Sequence, residues 1–182
     1  MKKIALLVAA LFLVVSFGAV SAAEKAPKKV YDLSKKLAAL GKDKIVVEAV
    51  QKANAEGKTL AQIQEMDKKW IADAKTGVAP YMQALMDNPC AKHLKALMAK
   101  RPYITEIFVT DNQGANVCQT AKTSDYWQGD EAKFQKVFNK GILVGDVEKD
   151  DGMNVAQVSV PVKAKSGDVG TMTIGVNVDK VK

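Results

Sequence analysis

The only histidine, His93, stands three residues after Cys90 and is the first place to look for chemistry. On a helix that spacing puts the two side chains about one turn apart, close enough to share a metal ion. Two ligands fall short of the three or four that a zinc site takes from protein. In Cys90-Ala91-Lys92-His93, Lys92 occupies the place where c-type haem attachment needs a second Cys. With a lone His, a Ser-His or Cys-His mechanism does not assemble. Cys90 and Cys118 are far from Cys-x-x-Cys spacing. Asp130 reads as a helix cap and Asp150-Asp151-Gly152 as a turn, and neither has the spacing of a calcium loop. The reading is a non-enzyme with no metal and no cofactor.

What remains suits binding. Tyr126 and Trp127 sit in a polar stretch, where large aromatics with a polar handle make good pocket walls. The plainer alternative for Trp127 is a plug in the core. Two late segments alternate, with Val158, Val160 and Val162 on one face of the first and Met172, Ile174, Val176 and Val178 on one face of the second. Their other faces carry Gln157, Ser159, Thr171, Thr173, Gly175 and Asn177. Small hydroxyl and amide groups leave room and offer hydrogen bonds, as a pocket floor does. A plain solvent-facing surface is the alternative. Arg101 is the only arginine. It has the fork to hold a ligand carboxylate, or else forms a surface ion pair.

The chain begins with Met-Lys-Lys, continues with an apolar run from Ile4 to Val15 and reaches the small residues Val20-Ser21-Ala22. This is the pattern of a secretory signal peptide, residues 1–22. An uncleaved anchor is the alternative. Of 182 residues, removal of the first 22 leaves 160, one domain's worth of chain. Lys2 and Lys3 leave with the signal and reduce the net charge from +7 to +5. The remaining positive charge is almost all lysine spread among acidic residues, which argues against nucleic acid as a partner. The expected location is the periplasm. In an oxidising compartment Cys90 and Cys118 are expected to pair, provided that a helix starting at Cys90 packs over the strand holding Cys118. Two separate buried thiols are the alternative.

The positioning elements follow from periodicity. Residues 23–29 read as a disordered polar lead-in. Residues 30–100 carry helical stripes: Val30, Leu33, Leu37, Leu40; then Ile45, Val46, Ala49, Val50. A capping box at Thr59-Leu60-Ala61-Gln62 starts the helix of Ile63, Met66 and Trp70. Asn88-Pro89 starts another. Residues 101–182 turn to strands: Tyr103–Asp111 and Asn116–Thr120 form a hairpin, and Ile142–Glu148, Val155–Lys163 and Val169–Val178 follow. A helix with Phe134, Val137 and Phe138 on one face, capped by Asp130, intervenes. Strands joined by tight turns predict an antiparallel sheet of five strands with helices on one face, an α+β domain.

The segment Ile107-Phe108-Val109-Thr110-Asp111-Asn112-Gln113-Gly114-Ala115-Asn116-Val117 resembles the first hairpin of Cache domains, the PAS-like sensor modules of bacteria. Thr123–Glu131 is similar to the loop after it in single-Cache proteins, and Gln157–Val162 and Gly170–Val176 to the last two strands. The resemblance implies a periplasmic sensor that holds a small polar metabolite, such as an amino acid or organic acid, between sheet and loop. It implies Arg101, Phe108, Tyr126, Trp127, Ser159 and Thr173 as the ligand-binding residues. Signal would pass to a separate membrane-bound signalling partner, with homodimerisation through a long helix as a further option. Amino-acid-sensing members carry an Arg just before the aromatics, where this chain has Ser124 and Asp125. A periplasmic interaction or structural protein without ligand is the second reading, and a haem or metal carrier through His93 the third.

Overall fold

The computed structural model describes residues 24–182. The expected signal peptide therefore lies outside the described residues. Five α-helices precede the sheet: α1 (Lys28–Leu37), α2 (Lys44–Ala55), α3 (Leu60–Ala74), α4 (Pro80–Asp87) and α5 (Pro89–Ala99). A 3-10 segment, Ala38–Lys42, links α1 to α2. The local start signals act as read. Thr59 accepts from the Gln62 amide N–H at 3.3 Å while the Gln62 side chain accepts from the Thr59 N–H at 2.8 Å. Asn88 accepts from the Ala91 N–H at 2.8 Å, with Pro89 at the first helical position.

The strands are β1 (Ile104–Thr110), β2 (Asn116–Gln119), β3 (Leu143–Asp150), β4 (Met153–Ala164) and β5 (Gly167–Asn177). They form one antiparallel sheet in the order β2-β1-β5-β4-β3. The fold is α+β, with the helices ahead of the sheet in sequence. Helix α6 is shorter than its apolar spacing predicts, Ala132–Gln135, and its N-cap is Glu131, not Asp130.

The apolar stripes of α1, α2 and α5 meet one face of the sheet. Val30, Leu37, Val46, Val50, Cys90 and Leu94 pack with Ile107, Val109, Val158, Val160, Met172 and Ile174 in the main core. Each fully buried branched side chain of this kind contributes about 1.5–3 kcal/mol relative to exposure. Gly41 admits the close approach of the 3-10 segment to β4, because a Cβ there would run into the Pro161 carbonyl. A second, smaller cluster joins Ile63 and Trp70 of α3 to Met82 and Met86 of α4, with Ala115 and Tyr126.

Residues 24–29 depart from the expected disorder. Glu24 bridges to Val147 on the β3 edge, Lys25 pairs with Asp146 at 2.8 Å, and Ala26 is buried. An otherwise open sheet edge supplies backbone partners that composition alone does not reveal.

Candidate functional site

Along β1, Ile107 and Val109 face the helices, so Phe108 lies on the opposite face by strand alternation. Register aligns Gln119 of β2 with Phe108, Phe108 with Thr173 of β5, and Thr173 with Ser159 of β4. These four residues form a row straight across the sheet. All are buried, at 0% exposure for Gln119, 3% for Phe108 and 1% each for Thr173 and Ser159. The chain after β2 closes over them: Lys133 Nζ stands 5.4 Å from the Phe108 ring centroid, and Val137 is fully buried in the same segment. The Asn139 N–H donates to Asp168 at 2.9 Å and fastens the end of this cover.

The hydroxyls of the row satisfy one another. Ser159 and Thr173 lie 2.9 Å apart, and Thr110 and Thr171 beside them 2.8 Å apart. Gln119 does not follow suit. Its amide nitrogen and oxygen are both buried, and neither has a hydrogen-bond partner among the described residues. The Gln128 side-chain oxygen is in the same position. Burying an unpaired amide costs about 1–3 kcal/mol, which a second molecule offering a donor and an acceptor would recover.

The loop between β2 and α6 is held by α3. One carboxylate oxygen of Asp67 accepts the backbone N–H groups of Tyr126, at 2.8 Å, and Trp127, at 3.0 Å. The Trp70 indole donates to the Thr123 carbonyl at 2.9 Å. The two aromatics expected to wall one pocket meet different neighbours. Tyr126 lies against Trp70, with ring centroids 5.9 Å apart, inside the second cluster. Burial is the main cause that pushes its phenol up to about 12, with the Asp111 and Glu56 carboxylates adding to it. The Trp127 indole donates to the Gln113 carbonyl at 2.8 Å, and the adjoining Gly129 has no room for a side chain between them. Trp127 thus pins the loop to the β1–β2 turn, close to the plainer reading of it.

Arg101 stands before the start of β1, outside the Phe108 row. Its guanidinium donates to the Leu97 carbonyl at 2.9 Å and so closes the C-terminal end of α5. His93 lies 2.9 Å from Asp43, whose other oxygen caps α2 through the Ile45 N–H. Cys90 and Cys118 are joined, with Cα atoms 5.9 Å apart, tying the start of α5 to β2. No group of three or more His, Cys, Asp or Glu side chains able to hold a metal ion occurs among the described residues.

Two open concavities lie elsewhere on the described residues. One, of about 210 Å³ at the β3 side of the sheet, is lined by Glu106, Asp146, Glu148 and Asp150. Gln157 donates to Glu106 and Lys25 pairs with Asp146, so two of these carboxylates already have partners. The other, of about 450 Å³, lies between α2 and the α4–α5 junction. Of the residues singled out from sequence, the structure brings together Phe108, Ser159 and Thr173. Gln119 and Asp67 were not singled out. The signal for Gln119 is present, one of two amides at the ends of the four-residue β2, but its face depends on register.

No family model matches the chain, and no curated protein matches it. Solved structures do. The sensor domain of the histidine kinase DctB from V. cholerae is 10% identical, with a TM-score of 0.43, covering 85% of this chain and 52% of that one. The sensory domain of the Campylobacter jejuni chemoreceptor Tlp3 with isoleucine bound is 15% identical, with a TM-score of 0.40, covering 85% of this chain and 66% of that one. The same domain without a named ligand is 14% identical, with a TM-score of 0.41, covering 85% and 64%. This chain therefore spans between half and two thirds of the structures it matches. These three structures are sensor or sensory domains, one of a histidine kinase and two of a chemoreceptor.

Proposed function

We propose that this chain is an exported, Cache-like sensor module that holds a small polar metabolite against the Gln119–Phe108–Thr173–Ser159 row. The observation that carries this reading is Gln119. A fully buried amide with neither atom partnered is an unusual cost for a fold to retain without use. Its oxygen accepts and its nitrogen donates, so the matching ligand group also does both. Phe108 beside it supplies an apolar wall, and the paired hydroxyls of Ser159 and Thr173 have lone pairs to spare. The cover over the row follows directly on the loop latched by Asp67, so a ligand that moved the cover would pull on α3 through that loop. A separate membrane-bound partner would read that change. The amino acids and organic acids expected from the Cache resemblance are the first probes.

The test is a thermal-shift screen of the purified protein against amino acids, organic acids, amines and purines. A ligand at about a hundredfold over its Kd stabilises by roughly 2.7 kcal/mol. The expected result is a hit that disappears in Gln119→Met, a substitution that conserves volume. A hit that persists in that variant, or a well-folded protein without any hit, removes the reading. The second outcome would favour an interaction protein that docks through its helices, where Leu60 and Ile71 of α3 are 45% and 40% exposed.

A further inference from the structure

The cleft of about 450 Å³ lies on the helix-covered side of the sheet, away from the Gln119 row. Ala49 and Ala53 of α2 form one wall, and Leu85 and Pro89 at the α4–α5 junction form the other. Val117 and Cys90, next to the disulfide, contribute to its lining. The volume falls within the roughly 300–1,000 Å³ of small-molecule sites.

Two of its polar residues, Tyr126 and Asn116, are themselves buried. Tyr126 is only 8% exposed, and its hydroxyl makes no hydrogen bond to another described residue. A tyrosine phenol is protonated at neutral pH, and burial pushes it further that way, so the hydroxyl is a donor. Asn116, 2% exposed, lines the same cleft. Its nitrogen donates to Thr123 and to the Asp125 carbonyl, and its oxygen is buried without a partner. The Tyr126 hydroxyl is thus a donor left over in the cleft wall, and the Asn116 oxygen an unpaired acceptor closed to solvent beside it in the lining. The charged lining residues are Glu48, Glu56, Lys52 and Lys58, two of each sign, and Glu56 is paired with Lys58. The lining has no net charge to select an ion.

We propose that this cleft is a second binding site, for a small neutral molecule with an apolar body and a head group that both donates and accepts a hydrogen bond. Phenols, alcohols and primary amides are the chemical class. The head meets the Tyr126 hydroxyl and the Asn116 oxygen, and the body lies between Ala49, Ala53 and Leu85. None of the residues lining this site belongs to the Gln119 row, so the two are tested separately.

The experiment is a titration of the ¹⁵N-labelled protein with 4-methylphenol, followed by amide chemical shifts. The amides of Ala49, Ala53 and Val117 should move in a saturable way, while hexanoate and hexylamine leave them in place. Tyr126→Phe should weaken binding about fivefold, the effect of one neutral hydrogen bond. Ala49→Leu and Ala53→Leu, at half-buried positions on the cleft wall, should abolish it with the rest of the spectrum unchanged. Gln119→Met should have no effect on it. Absence of saturable shifts at these amides overturns the proposal, as do shifts undiminished in both leucine variants. Equal response to hexanoate or hexylamine overturns the neutral head group.

Discussion

The two faces of the sheet are made by the same strands and differ in how completely they are satisfied. Toward the helices, β4 and β5 present Val158, Val160, Met172 and Ile174, all fully buried and in one packed cluster. On the reverse, the intervening Ser159, Thr171 and Thr173 are just as inaccessible, yet they are polar and bonded in pairs. Toward β2 the pairing runs out at Gln119. Equal burial on the two faces therefore has different meanings. The aliphatic face contributes stability. The polar face is closed at a cost that self-pairing offsets for the hydroxyls and leaves standing for the amide.

Neighbouring residues of β5 offer the sharpest way to break this contrast. Ile174→Ala should cost about 3 kcal/mol in urea unfolding, the transfer loss plus the cavity left in a close-packed core. A cost below about 1 kcal/mol would mean that the helix side is loosely packed and the contrast false.

A smaller effect is expected on the reverse. Ser159→Ala and Thr173→Val should each cost about 1 kcal/mol. Together they should cost little more than either alone, because each strands the other's hydroxyl. Additive losses would show that the two hydroxyls are not each other's partners.

The smallest effect belongs to Gln119. Gln119→Met should change stability by less than about 0.5 kcal/mol or raise it by up to about 1 kcal/mol, since it removes a group already unpaired. A loss above about 1.5 kcal/mol would show that the amide is satisfied within the fold.

What the sequence made legible was local or periodic. The Thr59–Gln62 capping box acts within four residues, and the alternation through Val158, Val160 and Val162 assigns their face without a partner strand. The disulfide was legible in part, from compartment and from a helix start placed near a hairpin. Gln119 was not, because β2 is short and its register against β1 shifts at Val109/Thr110. In a strand, a shift of one residue moves a side chain to the other face. Nor was Asp67, whose two acceptor contacts are with residues about sixty positions away. Adjacency in sequence groups Tyr126 with Trp127, and the fold separates them. The isolated bridge of Trp127 to Ala115 puts them in extended backbone, where adjacent side chains point apart.

The order of elements along the chain carries a consequence for how the protein is made. The helices between residues 28 and 99 emerge first, but neither of their apolar clusters is complete without later residues. The main core needs Val158, Val160, Met172 and Ile174, and the smaller cluster needs Ala115 and Tyr126. The stripes of α1, α2 and α5 have nothing to bury themselves against until β4 and β5 exist. Contacts of such long sequence separation form slowly and late. Synthesis thus runs from helices to sheet, while burial of the main core waits for the sheet.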